Sequence, residues 1–263
     1  MLTEVRNLFK ITLLSTKYAI MREMENKLSF IMNVLFMVLN NASFILVWVV
    51  MYSIKDNING YTINTVLLLW GIASGTYGVS HAFFNGAFEL SNKITDGKLD
   101  AFLVMPKNVL IQSILGVSPS AFGDLLYGYI ILFISGITPY KFIVYTLVII
   151  LGGILQTCMA IIFNSLAFWL GRVDILADTC TSFIDMFGTY PDTIFNKFIH
   201  ILFYTIIPVA FIVYIPLKIM IEFNITNLLI LLGGSSVIIL LTIIIFYAGL
   251  KKYSSSNLMV ARI

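Results

Sequence analysis

The chain has 263 residues, of which 59% are hydrophobic and only 11% charged, with a formal net charge of +3 and a mean hydropathy of +0.97. A soluble domain carries roughly a quarter charged residues and needs them to cover its surface. These values exclude a soluble fold and define an integral membrane protein. The small positive charge is poor for a nucleic-acid binder and fits membrane topology better.

Residues 1–27 mix apolar positions with Arg6, Lys10, Lys17, Arg22 and Lys27. Leu2, Val5, Phe9, Leu13 and Ile20 recur at helical spacing, which predicts an interfacial helix lying on the membrane; a plain charged leader is the alternative. No early apolar core precedes a small-residue cleavage site, so no cleavable signal is expected. The first span is predicted over 28–54, between Lys27 and Lys55, with Asn33, Asn40 and Asn41 inside it as possible partners for neighbouring helices. Asn59-Gly60 marks a turn.

The second span is predicted over 63–88. Its Gly71 and Gly75 form G-x-x-x-G, a pattern that lets another helix approach closely. A polar loop over 89–112 follows, holding Lys93, Asp96, Lys98, Asp100 and Lys107. Gly97 permits a turn with positive φ. Leu99, Phe102 and Leu103 then read as the apolar face of a short helix ended by Pro106, suited either to docking a soluble partner or to a plain interfacial connector. The third span is expected over 118–137, followed by a turn at Thr138-Pro139-Tyr140 and a fourth span from 142 to 169.

The fifth span has two readings. Hydropathy places it at 198–221, but Pro208 and Pro216 fall inside that stretch, and each removes a backbone donor and disfavours helix just before it. A broken or re-entrant hairpin suits them better, leaving the less apolar 175–190 as the span. The last span is predicted over 228–247. With the shorter fifth span, all 16 Lys and Arg except Lys55, Lys141, Lys197 and Lys218 lie on one side. The positive-inside rule then makes both termini cytoplasmic.

Carboxylates inside a bilayer are expensive and face protein or water. Asp124, Asp178 and Asp185 are therefore candidates for a polar path. Asp124 also suits a helix cross-link near an interface; Asp178 and Asp185, seven residues apart, share a helical face. No convincing internal repeat is visible, so an inverted-repeat secondary transporter is not supported. Gly97-Lys98 is followed by Leu99, and no G-x-x-x-x-G-K-[ST] loop occurs, so no ATPase motif is present. Cys158 and Cys180 form no C-x-x-C pair, and neither they nor His81 and His200 make a metal constellation.

Four motifs in order resemble the type-2 ABC exporter permeases, specifically a small six-helix subgroup. They are Ile94-x-x-Gly97-x-Leu99-Asp100-x-x-Leu103-x-x-Pro106-x-Asn108; Gly123-Asp124-Leu125-Leu126-x-Gly128; Tyr190-Pro191-x-x-Ile194-Phe195 with Ile207-Pro208 through Tyr214-x-Pro216; and Gly249-Leu250-Lys251-Lys252-Tyr253-Ser254. Met105 stands where the family usually has Arg, and Ser254-Ser255-Ser256 where it ends Ser-x-Gly.

The resemblance implies an all-α fold of six transmembrane helices forming a single domain over 1–263, with an interfacial helix over 1–27. A cytoplasmic coupling loop would occupy 89–112, with Ile94, Gly97, Leu99, Asp100, Leu103, Pro106 and Asn108 at the ATPase. An extracellular re-entrant region would occupy 190–221, with Tyr190, Pro191, Pro208, Tyr214 and Pro216 at the exit. It implies no catalytic residue, metal or cofactor on this chain, with ATP and Mg held by a cytoplasmic ATPase dimer. A second permease subunit, identical or paralogous, with a paralogue favoured because small permeases of this subgroup often come in pairs, would pair with it in a bacterial cytoplasmic membrane. A non-transporting sensor or immunity protein and an ion-coupled transporter using Asp178 and Asp185 are the alternatives.

Overall fold

Long runs of Leu, Ile, Val and Phe in a bilayer must satisfy every backbone group internally, and helices do this within one segment. A computed structural model of the chain describes residues 24–105, 108–136 and 138–254, with a few positions before residue 24. It is 79% helical and contains no strand among the described residues. The interfacial helix expected over 1–27 falls largely outside them.

Helix α1 (Lys27–Ile54) begins where Asn26 Oδ1 accepts from Ser29 N–H and is followed by a tight turn. Asn59 and Gly60 both have positive φ, at 50° and 93°, and Ile58 and Tyr61 exchange backbone hydrogen bonds across them. Asn-Gly is the pair that tolerates such a turn. Helix α2 (Ile63–Phe84) starts on a Thr62 cap. Three short helices then follow, α3 (Leu90–Thr95), α4 (Asp100–Leu103) and α5 (Val109–Ile114), before α6 (Ala121–Ile134).

Helix α7 (Pro139–Ser165) corrects the turn expected at Thr138-Pro139-Tyr140. Thr138 Oγ1 accepts from Lys141 N–H, and Pro139 opens the helix, where its missing N–H costs nothing. After α8 (Ala167–Leu170) comes α9 (Asp174–Gly188), which carries the short polar segment. The hydropathic stretch at 198–221 is not one helix. It comprises α10 (Lys197–Tyr204), a π-helical turn over Ala210–Tyr214, and α11 (Ile215–Ile221). Pro216 has no N–H for the carbonyl of Ile212 four residues back, and the turn widens there. Helix α12 (Ile225–Leu250) closes the described chain.

Among the described residues, four helical stretches are long and apolar enough to cross a membrane: α1, α2 with its continuation to Thr95, α7 with α8, and α12. Helix α6, expected to span 118–137, has only 14 residues, about 21 Å against a hydrocarbon core of about 30 Å. The end of α5 and the irregular backbone after it, at Leu115 and Gly116, pack on Asn85 and Gly86.

Helices α2 and α7 are mostly buried, whereas α1 and α12 expose most of their apolar surface. The α2 glycines set the core. A Cβ on Gly71 would lie 3.0 Å from Ile131 Cγ2, and one on Gly78 2.6 Å from the backbone nitrogen of Leu125, both on α6. One on Gly75 would lie 2.7 Å from the Tyr145 hydroxyl of α7. Tyr145 is completely buried, and its hydroxyl donates to the Gly71 carbonyl at 2.7 Å. Replacing Gly78 by Leu pushes side chain into backbone and should destabilise by at least about 1–3 kcal/mol. Gly233, with nothing within 4 Å of its Cβ position, is the control. Thermal unfolding in detergent should show a clear loss for Gly78→Leu and none for Gly233→Leu.

Candidate functional site

A cavity of about 310 Å³ lies between α1, α2, α6, α7, α9 and the π-helical turn. Its walls include Met37, Phe44, Trp70, Tyr77, Ile184 and Ile212; its polar groups are Asn41, Ser74, Thr76, Asp124, Gln156 and Asp185. Asp124 is only 3% exposed. Asn41 Nδ2 donates to its Oδ1 at 2.7 Å, and Ser74 Oγ donates to its backbone carbonyl at 2.8 Å. It therefore joins α1, α2 and α6. Asp185 accepts from Gln156 Nε2 across the α7–α9 contact. Asp124 Oδ2, Thr76 Oγ1 and Trp70 Nε1 are buried with no hydrogen-bond partner.

Asp178 and Asp185, the candidates for one polar path, are placed differently by the structure. Both sit on α9, but Asp178 is exposed and does not line the cavity. The two positions are offset by two helical turns, about 10 Å along the axis, and only the later one reaches the space between helices. The carboxylates that share the cavity are Asp124 and Asp185, from different helices. Of the three intramembrane asparagines on α1, only Asn41 is buried. Gln156, Thr76 and Trp70 escaped the sequence reading, because their neighbours lie on other helices and no spacing announces them.

The residues expected at a re-entrant exit cluster at one end of the bundle. Tyr190 lines the cavity and meets the Trp48 ring edge-on at 5.9 Å. The buried Tyr214 hydroxyl donates to the carbonyls of Phe187, at 2.6 Å, and Tyr190, at 3.2 Å. Pro191, Pro208 and Pro216 are all buried, and the Pro208 carbonyl accepts from Phe211 N–H as the helix restarts. Asp192 ties this end together. Its Oδ1 accepts from Tyr61 OH at 2.7 Å, and Lys218 Nζ lies 3.7 Å from its Oδ2. Burial, and then the Asp192 carboxylate, hold the Tyr61 phenol above its usual pKa.

The other end carries the loop over 89–112. Gly97 adopts φ 72°, and Leu99 N–H returns to the Lys93 carbonyl. Ile94 and Leu99 are fully buried, in a cluster with Phe168 and Phe246. Leu103 is 43% exposed and Val104 84%. The single apolar face expected from Leu99, Phe102 and Leu103 is thus divided: Leu99 precedes the four-residue α4 and points inward, and Leu103 points out. Asp100 Oδ1 accepts from Tyr253 OH at 2.8 Å, which, after burial, raises that phenol's pKa. Asn108 caps α5 by accepting from Ile111 N–H, and its Nδ2 donates to Tyr247 OH at 2.8 Å. Pro106 lies outside the described residues. Lys98, which hydrogen-bonds Asp96, and Arg172, 3.6 Å away, hold the Asp96 carboxyl below its ordinary range.

An all-α bundle with several membrane-crossing helices, a buried polar cavity and no ATPase motif defines a multi-pass membrane component. The family described as ABC-2 family transporter protein matches residues 37–257. The chain belongs to that family, whose members are permease components of transporters and not catalytic subunits. No curated protein and no solved structure gives a significant match.

The Asn41–Asp124 contact makes a separable prediction. Asn41→Leu leaves a buried carboxylate oxygen without a donor and should cost about 1–3 kcal/mol, whereas replacing both partners with apolar side chains recovers most of the loss. Thermal unfolding of Asn41→Leu, Asp124→Leu and the double variant should be strongly non-additive.

Proposed function

We propose that the chain is the permease subunit of an ATP-driven exporter in the bacterial cytoplasmic membrane, one transmembrane domain over 1–263. The observation that carries this is the family match over 37–257. Helices α1, α2, α6, α7, α9 and α12 are assigned as six crossings, with both termini cytoplasmic, as the distribution of Lys and Arg favours. The cavity holding Asp124 and Asp185 is then part of the substrate path, and Asp178 is not. The segment 190–221, with Tyr190, Pro191, Pro208, Tyr214 and Pro216, closes that path on the extracellular side.

ATP and Mg belong to a dimer of cytoplasmic ATPase subunits. The loop 89–112 receives them. In this reading Ile94 and Leu99 anchor the loop in the bundle, Gly97 turns it, Asp100 and Asn108 tie it to the last helix, and Leu103 with Pro106 faces the partner. The exposed apolar run Leu103, Val104 and Met105 beside Lys98 and Arg172 supports a docking role. A rigid-body shift of packed helices would carry ATP-driven closure to the cavity. A second permease subunit, a paralogue, completes the path.

Purification from native membranes in mild detergent tests this. A stoichiometric ATPase should accompany the chain. Val104→Asp places a charge on a surface already exposed, so folding should be unchanged while ATPase recovery falls about tenfold, the effect of losing one good apolar contact. Gly97→Trp, strained at positive φ, should uncouple or abolish ATPase activity. Purification without any ATPase, under conditions that keep other complexes intact, defeats the proposal.

A further inference from the structure

The cavity contains two carboxylates, and among the described residues neither has a cation within ion-pair distance. Asp124 and Asp185 each meet one neutral amide, from Asn41 and Gln156. A carboxylate offers two oxygens and about four acceptor sites, and on Asp124 one of the two oxygens is left without a partner. Asp124 Oδ2 has no partner in a residue 97% withdrawn from solvent, and Thr76 Oγ1, on a residue 1% exposed, has none either. Burying negative charge without a counter-charge is costly. Trp70 and Tyr77 stand in the same wall, with Phe44 stacked on Trp70 at 5.6 Å. Aromatic faces attract cations, most strongly where water is excluded. Apolar walls, orphaned polar atoms and two carboxylates together suit an occupant that brings positive charge on an apolar frame. An anion would be repelled by both carboxylates.

We propose that this cavity binds the cationic group of an amphipathic organic molecule, with Asp124 and Asp185 as its counter-charges and the Trp70 and Tyr77 rings as its walls. This deepens the permease reading and rests on it only for the ligand's being cargo; the binding itself stands apart.

The test uses the full chain in lipid nanodiscs and a matched pair of probes, 1-naphthylmethylammonium and the neutral 1-naphthalenemethanol, measured by equilibrium dialysis. The cation should bind at least about tenfold tighter than the alcohol, the scale of one partly desolvated charge contact. Asp185→Asn and Asp124→Asn keep the side-chain shape. Each should erase most of that preference, the cation losing far more affinity than the alcohol, with thermal unfolding showing which variant is folded; one folded variant suffices. Equal affinity for the two probes, or a preference that survives charge removal, overturns the inference, because the carboxyls then act as neutral donors. Displacement of the probe by millimolar K⁺ or Mg²⁺ also overturns it, in favour of an inorganic ion. Charge-dependent binding in a preparation that recovers no ATPase keeps the cation site and removes the transporter reading. Recovery of an ATPase without charge discrimination does the reverse.

Discussion

The close approach of α2 to α6 and α7 is the constraint on which the rest of the molecule depends. Gly71, Gly75 and Gly78 lie along α2 and replace side-chain thickness with backbone contact, against Ile131, Tyr145 and Leu125. In a bilayer, where helix association gains little from apolar burial alone, such contact supplies dispersion and frees room for polar links. Tyr145 uses that room. Its ring fills the space beside Gly75 and Gly128, and its hydroxyl bonds the Gly71 carbonyl. The same approach brings Ser74 to the Asp124 carbonyl and, through Asn41, draws α1 in. The cavity lies just past these links, where α9 and the π-helical turn cannot follow α2 as closely. Its polarity and its position thus share one cause.

What could be read in advance follows from how local each signal is. Helix α1 was legible because charges bracket a long apolar run, and the hairpin because Asn59-Gly60 is the pair its backbone demands. Pro208 and Pro216 announced a broken segment, since the loss of an N–H is a property of one residue. The split of the 89–112 loop was not legible. Whether Leu99 or Leu103 points inward depends on where Phe168 and Phe246 arrive from elsewhere in the chain. That Asp185 lines the cavity and Asp178 does not was hidden for the same reason. A shared helical face fixes direction but not depth, and only contact with α2 and α7 decides which turn of α9 meets the cavity. The partnership of Asp124 and Asp185 joins residues on separate helices and leaves no periodic trace.

The two ends of the bundle are tied differently, and the difference bears on motion. At the hairpin end, Asp192 joins the α1–α2 loop, through Tyr61, to α11, through Lys218. Tyr214 hangs from the carbonyls of Phe187 and Tyr190. Hydrogen bonds, an aromatic cluster and the packing of the buried Val209, Ala210, Ile212 and Val213 in the central core hold this end together.

At the loop end the ties run to the last helix and the residues that follow it. Asn108 reaches Tyr247, Asp100 reaches Tyr253, and Leu99 and Ile94 are sealed in the cluster that contains Phe246. A force on the exposed side of the loop cannot be absorbed by the loop itself, because its inner residues are already packed. It passes to the end of α12 and, through Phe168, to the end of α7. Helix α7 also carries Gln156, which bonds Asp185, and Tyr145, which bonds α2. Helix α7 is therefore bonded both to the Asp185 wall of the cavity and to α2, which in turn holds the Asp124 carbonyl through Ser74. The loop is thus joined to the cavity through packed helices, and the opposite end is tied by a separate set of contacts through Asp192 and Tyr214.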